Sequence, residues 1–171
     1  IRDRILLDFI KLMNEKYEDF LYVFHSTKAQ RSNLEKIINK SQINNTEIIS
    51  DDKIKDHILK KSVFAVSKSG TISLEISKRK IPSIIIYKMN FINFLIVKML
   101  VKIKYANILN IAAGQMIIPE LLQSKCNSKQ IYKLVSSFLE DQNKIKKQIS
   151  NTEKVLESFR TKNLPTDLAA D

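Results

Sequence analysis

The stretch SVFAVSKSGTISLEI, residues 62–76, decides the fold that we predict for this chain. Its apolar first part predicts a buried strand over residues 62–66. Small and polar residues follow at 67–70, and the spacing of apolar residues from Thr71 onward predicts a helix to Lys80. A strand that passes through a short loop into a helix is typical of parallel sheets, because parallel strands need a helical crossover.

The same alternation of strands and helices continues on both sides of this unit. Further strands are predicted at residues 20–24, 46–49, 83–87 and 105–109. Further helices are predicted at residues 4–15, 29–39, 51–60, 91–103, 115–123, 128–140 and 142–159. Because strand and helix alternate with short connections, we expect an α/β fold in which helices wrap a parallel sheet.

The composition fits one globular domain or half of a two-domain enzyme. The chain has 171 residues, of which 44% are hydrophobic and 27% charged, so it can bury a core. The single cysteine cannot form an internal disulfide, and no apolar stretch is long enough to predict a membrane span. Because the chain starts at Ile1 rather than at Met, we expect it to be a piece of a longer protein.

The net charge of +11 makes anionic partners a natural hypothesis. Nucleic acid, anionic lipid and phosphorylated ligands all fit such a charge. Only five of the 29 basic residues are arginine, the better residue for bidentate contacts with phosphates and bases. The sequence also lacks the spacing of a zinc finger and any long basic run. We therefore expect no nucleic-acid partner.

The loop before Thr71 is the first candidate binding site. Free N–H groups at a helix N-terminus attract phosphate, and Gly70 would let a ligand approach the backbone closely. Ser69 and Thr71 can add hydroxyl donors. Glu75 lies one helical turn later and could accept both hydroxyls of a ribose. The alternative is a capped helix start in which Glu75 pairs with Arg79 in solvent.

The second candidate is the segment from Asn110 to Gln123. It predicts a polar loop around Gly114 followed by a helix that starts at Pro119, with Glu120 and Gln123 on one side. Both glycines of the chain would then lie after a strand and before a helix, at the sheet edge where ligands bind. The alternative is a turn and a helix whose leucines pack inward.

The third candidate combines a bulky apolar run with flanking lysines after Tyr87 and Lys88. A surface helix that dips into an anionic membrane has this composition. The residues expected to contact lipid are Phe91, Phe94, Leu95, Lys98 and Lys102. A buried crossover helix with lysines at its ends is the alternative.

His25 and His57 are isolated in the sequence. Neither has the neighbouring histidine or paired carboxylates that a metal site or a catalytic triad needs. We therefore expect no metal and no cofactor.

Three of these segments together resemble a known family. They are S-x-S-G-T-x-x-L-E at residues 67–75, L-V-K-x-x-Y at 100–105, and N-x-x-A-G-x-x-x-x-P-E-L-x-Q at 110–123. Their order and spacing over residues 62–140 are similar to those of lipid-A-disaccharide synthases, and the third segment is specific to that family. Leu109 and the pair Asn90-Phe91 stand where the family usually has proline.

The resemblance implies a GT-B glycosyltransferase, which has two facing Rossmann-like domains, with this chain as the C-terminal half. Residues 1–141 would be the donor-binding domain, and residues 142–171 a helix and tail that pack on the N-terminal domain or on a partner subunit. No catalytic residue is expected here, because the N-terminal domain would supply the general base. The chain alone would be inactive.

The family's reaction is inverting and needs no metal. It transfers 2,3-diacylglucosamine from UDP to 2,3-diacylglucosamine 1-phosphate at the inner face of the bacterial inner membrane, and a homodimer is implied. The residues that would bind the UDP donor are Ser69, Gly70, Thr71, Glu75, Asn110, Gly114, Glu120 and Gln123, and Tyr87 and Lys88 would border the cleft.

Two other functions stay open. One is another membrane-surface UDP-sugar transferase, of the peptidoglycan type. The other is a non-catalytic basic α/β module that binds nucleic acid or anionic lipid.

Overall fold

The computed structural model describes residues 2–68, 70–88 and 104–162. The helices are α1 (Arg2–Asn14), α2 (Lys28–Ser41), α3 (Asp52–Lys61), α4 (Thr71–Lys78), α5 (Ile108–Ala113), α6 (Ser128–Leu139) and α7 (Gln142–Lys162), with a 3-10 turn at Gln123–Lys125. The strands are β1 (Tyr22–His25), β2 (Thr46–Ile49), β3 (Ala65–Ser67), β4 (Ser83–Tyr87) and β5 (Glu120–Leu122). The predicted helix 91–103 lies outside the described residues.

The described strands form two parallel sheets. β1 pairs with β2, and β4 lies between β3 and β5. In the register of the second sheet, Ser67 of β3 is the partner of Ile85 of β4, and Ile85 is the partner of Glu120 of β5. The α/β class and the parallel pairing are confirmed, although the hydrogen bonds divide between two sheets instead of the single sheet expected.

The central strand β4 is buried on both faces. Ile84 and Ile86 join an apolar cluster with residues of α1, α2 and α6, which also contains Phe24 and Ile48 of the β1–β2 sheet. Ile85 meets Leu109 of α5 and residues of α4 and α7 in a second cluster. Helices therefore cover both faces, as predicted. Because both faces are buried, the sequence of β4 is almost continuously apolar.

Polar side chains mark the starts of several helices. Asp51 caps α3 by accepting hydrogen bonds from the N–H groups of Lys53 and Ile54. The side chains of Asn107 and Asn127 cap α5 and α6 in the same way. The cap at Asp51 therefore depends only on residues that are adjacent in the sequence.

Two predicted elements are wrong. Residues 105–109 do not form a strand, because Asn107 caps a helix that starts at Ile108. Residues 115–123 do not form a helix, because Glu120–Leu122 is strand β5 and pairs with β4. Short apolar runs such as these do not distinguish strand from helix by periodicity. β3 also begins three residues later than predicted, at Ala65, because Ser62 closes α3.

Helix α7 packs on the same domain as the sheet. Val155, Leu156 and Phe159 lie against the cluster around Ile85. The side-chain amide of Gln148 donates to the carbonyl of Ser83 at 2.9 Å and accepts from its N–H at 2.7 Å. One face of α7 therefore packs on the sheet, while the predicted division at residue 141 stays a prediction. None of the described helices combines the length and hydropathy of a membrane span.

Candidate functional site

The turn between β3 and α4 has a backbone that only glycine adopts without strain. Gly70 has φ of 131° and ψ of −163° and stands at the N-cap of α4. A Cβ added there would meet no atom of the described residues within 4 Å, so these residues leave the space in front of this turn open. The first N–H groups of a helix lack intrahelical acceptors, and Thr71 at this start is exposed. The turn can therefore present donors to an anion.

Two polar atoms at the carboxyl edge of the β3–β4–β5 sheet have no hydrogen-bond partner among the described residues. The Ser67 hydroxyl is buried at the end of β3, and the Gln123 amide nitrogen is buried directly after β5. Gln123 also has φ of 53°, which a residue with a side chain adopts only at a cost. Buried polar groups are normally satisfied, so these two point to a ligand at this edge.

Glu75 is partly buried between two cations. Lys55 Nζ of α3 lies 3.3 Å from Glu75 Oε2, and Arg79 Nη1 lies 3.4 Å from Oε1. The pair with Arg79 that the alternative interpretation gave is therefore present, with Lys55 as a second partner that the sequence did not indicate. A carboxylate accepts about four hydrogen bonds, so each oxygen keeps capacity for a ribose hydroxyl.

Further acids hold these two cations. The hydrogen bond that Lys55 donates to Asp52, together with the one that it donates to Glu75, raises the pKa of Lys55 above its usual range. Arg79 also pairs with Asp56. Lys60 and Arg79 together lower the pKa of Asp56 to about 2. The helix that carries Glu75 is thus tied to α3 by ion pairs beside the Gly70 turn.

Tyr87 and Lys88 end β4 at the same edge of the sheet. Lys68 Nζ, from the Gly70 turn, lies 5.6 Å from the centre of the Tyr87 ring. Lys68 and Lys88 are both exposed. The edge therefore carries positive charge next to an aromatic ring, which suits a phosphorylated ligand.

Asn110 and Glu120 are buried, and internal hydrogen bonds engage their side chains. Asn110 Nδ2 donates to the Ile118 carbonyl and to Glu120 Oε1, while Asn110 Oδ1 accepts from the N–H groups of Ile117 and Ile118. Glu120 also accepts from the N–H groups of residues 106 and 107. Both side chains thus hold the loop between α5 and β5, and neither presents a free group at the sheet edge.

Gly114 closes α5 in the left-handed conformation, with φ of 64°. Its N–H donates to the Ile111 carbonyl, a common helix C-cap arrangement. It therefore follows a helix and leads to the amino end of β5, and the expectation that it follows a strand and precedes a helix is wrong. The structure brings Gly70, Glu75, Tyr87, Lys88 and Gln123 to the carboxyl side of the sheet and leaves Gly114 on the approach to the opposite end.

Comparison with known proteins identifies the family. The family described as "Lipid-A-disaccharide synthetase" matches residues 1–170. The chain belongs to this family.

Individual relatives agree with this assignment. The lipid-A-disaccharide synthase of Rickettsia canadensis is 38% identical over 72% of this chain and 32% of its own length. That of Rickettsia prowazekii is 30% identical over 97% of this chain and 44% of its own length. That of Sulfurihydrogenibium sp. is 33% identical over 92% of this chain and 43% of its own length. The chain thus spans less than half the length of these relatives.

Sequence reasoning missed Ser73 and Asn107. Both side chains are completely buried, and Asn107 Nδ2 donates to Ser73 Oγ at 2.8 Å. An asparagine before the apolar pair Ile108-Leu109 is a helix-start signal, and it could have located the cap. Nothing in the sequence spacing indicated that it contacts α4, 34 residues away.

Several predicted site residues lie outside the described part of the chain. They are Ser69 and the predicted lipid contacts Phe91, Phe94, Leu95, Lys98 and Lys102. Across residues 2–68, 70–88 and 104–162, no three His, Cys, Asp or Glu side chains come together as metal ligands. His25 Nε2 instead lies 3.9 Å from Asp52 Oδ1.

Proposed function

We propose that this chain is the donor-binding part of an inverting, metal-independent glycosyltransferase of lipid A synthesis. The whole enzyme would transfer 2,3-diacylglucosamine from UDP to 2,3-diacylglucosamine 1-phosphate. Membership of the family over residues 1–170 supports this proposal. Because the chain spans less than half the length of these relatives, our proposal gives the remaining parts of the reaction to another domain.

The observation that carries the proposal is the open glycine turn with an acid one helical turn behind it. In this proposal the N–H groups at Gly70 and Thr71, with the hydroxyls of Ser69 and Thr71, bind the diphosphate of UDP. Glu75 accepts the ribose hydroxyls while Lys55 and Arg79 hold its carboxylate. The Gln123 amide, buried without a described partner, completes the site from β5.

The chemistry that this half contributes is stabilisation of the leaving group. As the glycosidic bond breaks, negative charge develops on the UDP diphosphate, and donors already in place lower the barrier. The turn amides and the exposed Lys68 and Lys88 are placed for this task at the sheet edge. The general base that removes the proton from the acceptor hydroxyl belongs to the N-terminal domain.

The proposal extends to the partners and to the place of reaction. Donor, acceptor and the inner membrane face are all anionic, so the charge of +11 favours their approach. The apolar residues after Lys88 would contact the acyl chains or the membrane surface. A homodimer through the C-terminal segments is part of the same proposal, and it would use the face of α7 turned away from the sheet.

Calorimetric titration of this chain with UDP tests the proposal. We expect saturable binding that Glu75→Gln weakens about tenfold, since a hydrogen bond to a charged group contributes about 1.5–3 kcal/mol. Glu35→Gln is the matched control, because Glu35 pairs with Arg31 four residues away on an unrelated helix. The 2′-deoxy analogue of UDP should lose affinity for the wild type and much less for Glu75→Gln.

Two results would reject this function. One is the absence of saturable UDP binding. The other is binding of single-stranded nucleic acid that falls steeply between two salt concentrations, with no preference for UDP, which identifies a basic binding module instead.

A further inference from the structure

We infer that Ser73 and Asn107 are positioning residues that orient the Gly70–Thr71 peptide group toward the diphosphate. This inference rests on the proposed function and adds residues that contact no ligand themselves. Both side chains have no exposed surface, so any role that they have in binding must pass through their neighbours.

A continuous chain of hydrogen bonds leads from β5 to the glycine turn. Glu120 Oε1 accepts from the N–H of Asn107 at 2.9 Å. Asn107 Nδ2 donates to Ser73 Oγ at 2.8 Å, and Ser73 Oγ donates to the carbonyl of Gly70 at 2.7 Å. The first two links connect Asn107, the cap of α5, with β5 and with α4, and the last lies within the first turn of α4. The turn is therefore linked to the strand two positions away in the sheet.

The direction of each proton in this chain is determined. Asn107 Oδ1 accepts from the N–H of Leu109 at 2.9 Å, so the amide nitrogen of Asn107 must face Ser73. Because the Ser73 oxygen receives that N–H, its own proton is free to go to the carbonyl of Gly70. The Gly70 carbonyl also accepts from the N–H of Ser73 at 3.1 Å. Two donors therefore hold one carbonyl.

The orientation of that carbonyl sets the orientation of the next N–H. The peptide group is planar and trans, so the Gly70 carbonyl and the Thr71 N–H point in opposite directions. With the carbonyl held toward the interior of the first helical turn, the Thr71 N–H is directed away from the helix, into the open space before the turn. A rotated peptide would instead present the carbonyl dipole and repel a diphosphate.

Glycine makes this restraint necessary. A residue without Cβ has the widest range of backbone conformations, and φ of 131° at Gly70 is not fixed by steric contact. The buried serine and asparagine supply the restraint that glycine itself lacks. A turn ordered before binding loses less entropy when the ligand arrives.

The test compares UDP with uridine on Ser73→Ala. Uridine retains the ribose and base but lacks the diphosphate. We expect the affinity for UDP to fall about tenfold and that for uridine to change less than about twofold. Ser77→Ala is the matched control, because Ser77 is buried on the same helix one turn farther from Gly70. The control should leave both affinities unchanged.

A second variant keeps the test decisive if Ser73→Ala unfolds. Asn107→Ser retains a side chain that caps α5 but is too short to reach Ser73. This variant should also weaken the binding of UDP more than the binding of uridine. Circular dichroism checks that each variant is folded. Equal losses for UDP and uridine, or no loss for either, would overturn the positioning role.

The same titrations separate this inference from the proposed function. If the wild-type chain binds UDP no better than uridine, the diphosphate site itself is refuted. If the wild type prefers UDP and Ser73→Ala keeps the full preference, the proposed function survives and the positioning role fails.

Discussion

The two signature segments look alike in sequence and differ in the structure. The Gly70 turn is exposed, and its neighbours Ser67 and Gln123 keep buried polar atoms without described partners. In the second segment, the side chains of Asn110 and Glu120 are buried and bonded to each other or to the backbone. We propose that the first segment binds a ligand and that the second holds the first in place.

This difference shows that a family motif can consist of supporting residues. Glu120 begins a strand of the same sheet and anchors the hydrogen bonds that end at Gly70. A substitution there would disturb a site that its side chain does not touch. The following variants test whether the division between receiving and holding is real.

The largest effect is expected for Glu120→Ala. The change removes the acceptor of three hydrogen bonds inside the protein, and it should lower the free energy of unfolding by about 3 kcal/mol or more. Urea denaturation measures it. Glu140→Ala, which removes an exposed acid that pairs with Lys16, is the control and should cost much less. Similar costs for the two variants would contradict the holding role.

Asn110→Ala should have the next largest effect on the free energy of unfolding. Its side chain makes four hydrogen bonds, two of them to the N–H groups of Ile117 and Ile118, and we expect a loss of about 2–3 kcal/mol. UDP affinity, measured well below the unfolding temperature, should fall much less than for Glu75→Gln. A selective loss of UDP binding at full stability would place Asn110 in contact with the donor after all. Asn143→Ala, on the exposed start of α7, is the control.

The two glycines give a smaller and purely conformational contrast. Neither would bring an added Cβ within 4 Å of another atom, so the cost of alanine comes from the backbone alone. Gly114 has left-handed helical angles, for which alanine costs about 1 kcal/mol. Gly70 lies in a region that is essentially restricted to glycine, at about 1–3 kcal/mol. A lower melting temperature for Gly114→Ala than for Gly70→Ala would contradict this difference between the two turns.

The smallest effect is a pH dependence in the ion pairs beside the turn. Lys60 and Arg79 lower the pKa of Asp56 from 3.8 to about 2. A lowered folded-state pKa stabilises the protein above the unfolded-state value, and this stabilisation is lost as the pH falls from about 4 to about 2. Asp56→Asn should therefore show a shallower loss of stability over this interval. Asp8→Asn, an exposed acid of α1, should follow the wild type, and parallel curves for all three would refute the role of Asp56.

The sequence predicted the fold class and the first site from local signals. The cap at Asp51, the strand Ser83–Tyr87 and the glycine before Thr71 are each read from a few adjacent residues. Such features follow from capping chemistry, from burial on two faces and from the freedom of glycine.

The second segment could not be predicted in the same way. Glu120–Leu122 has three residues, and what makes it a strand is pairing with β4, more than thirty residues earlier. The sequence predicts that Asn110 and Glu120 bind the donor, because it does not show that these side chains have partners inside the protein. Those partners come from α5 and from the loop before β5. Periodicity and residue type carry no information about such partners.

The contact between Gln148 and Ser83 has a consequence for how the protein folds. Its side-chain amide takes the place of a neighbouring peptide at the start of β4, across 65 residues of chain. Closing so long a loop is entropically costly and slows folding, so this link forms late. During synthesis the N–H and carbonyl groups of Ser83 lack this partner until α7 has left the ribosome. A chain that terminates before Gln148 would leave both groups without it, and we expect such shortened products to be less stable.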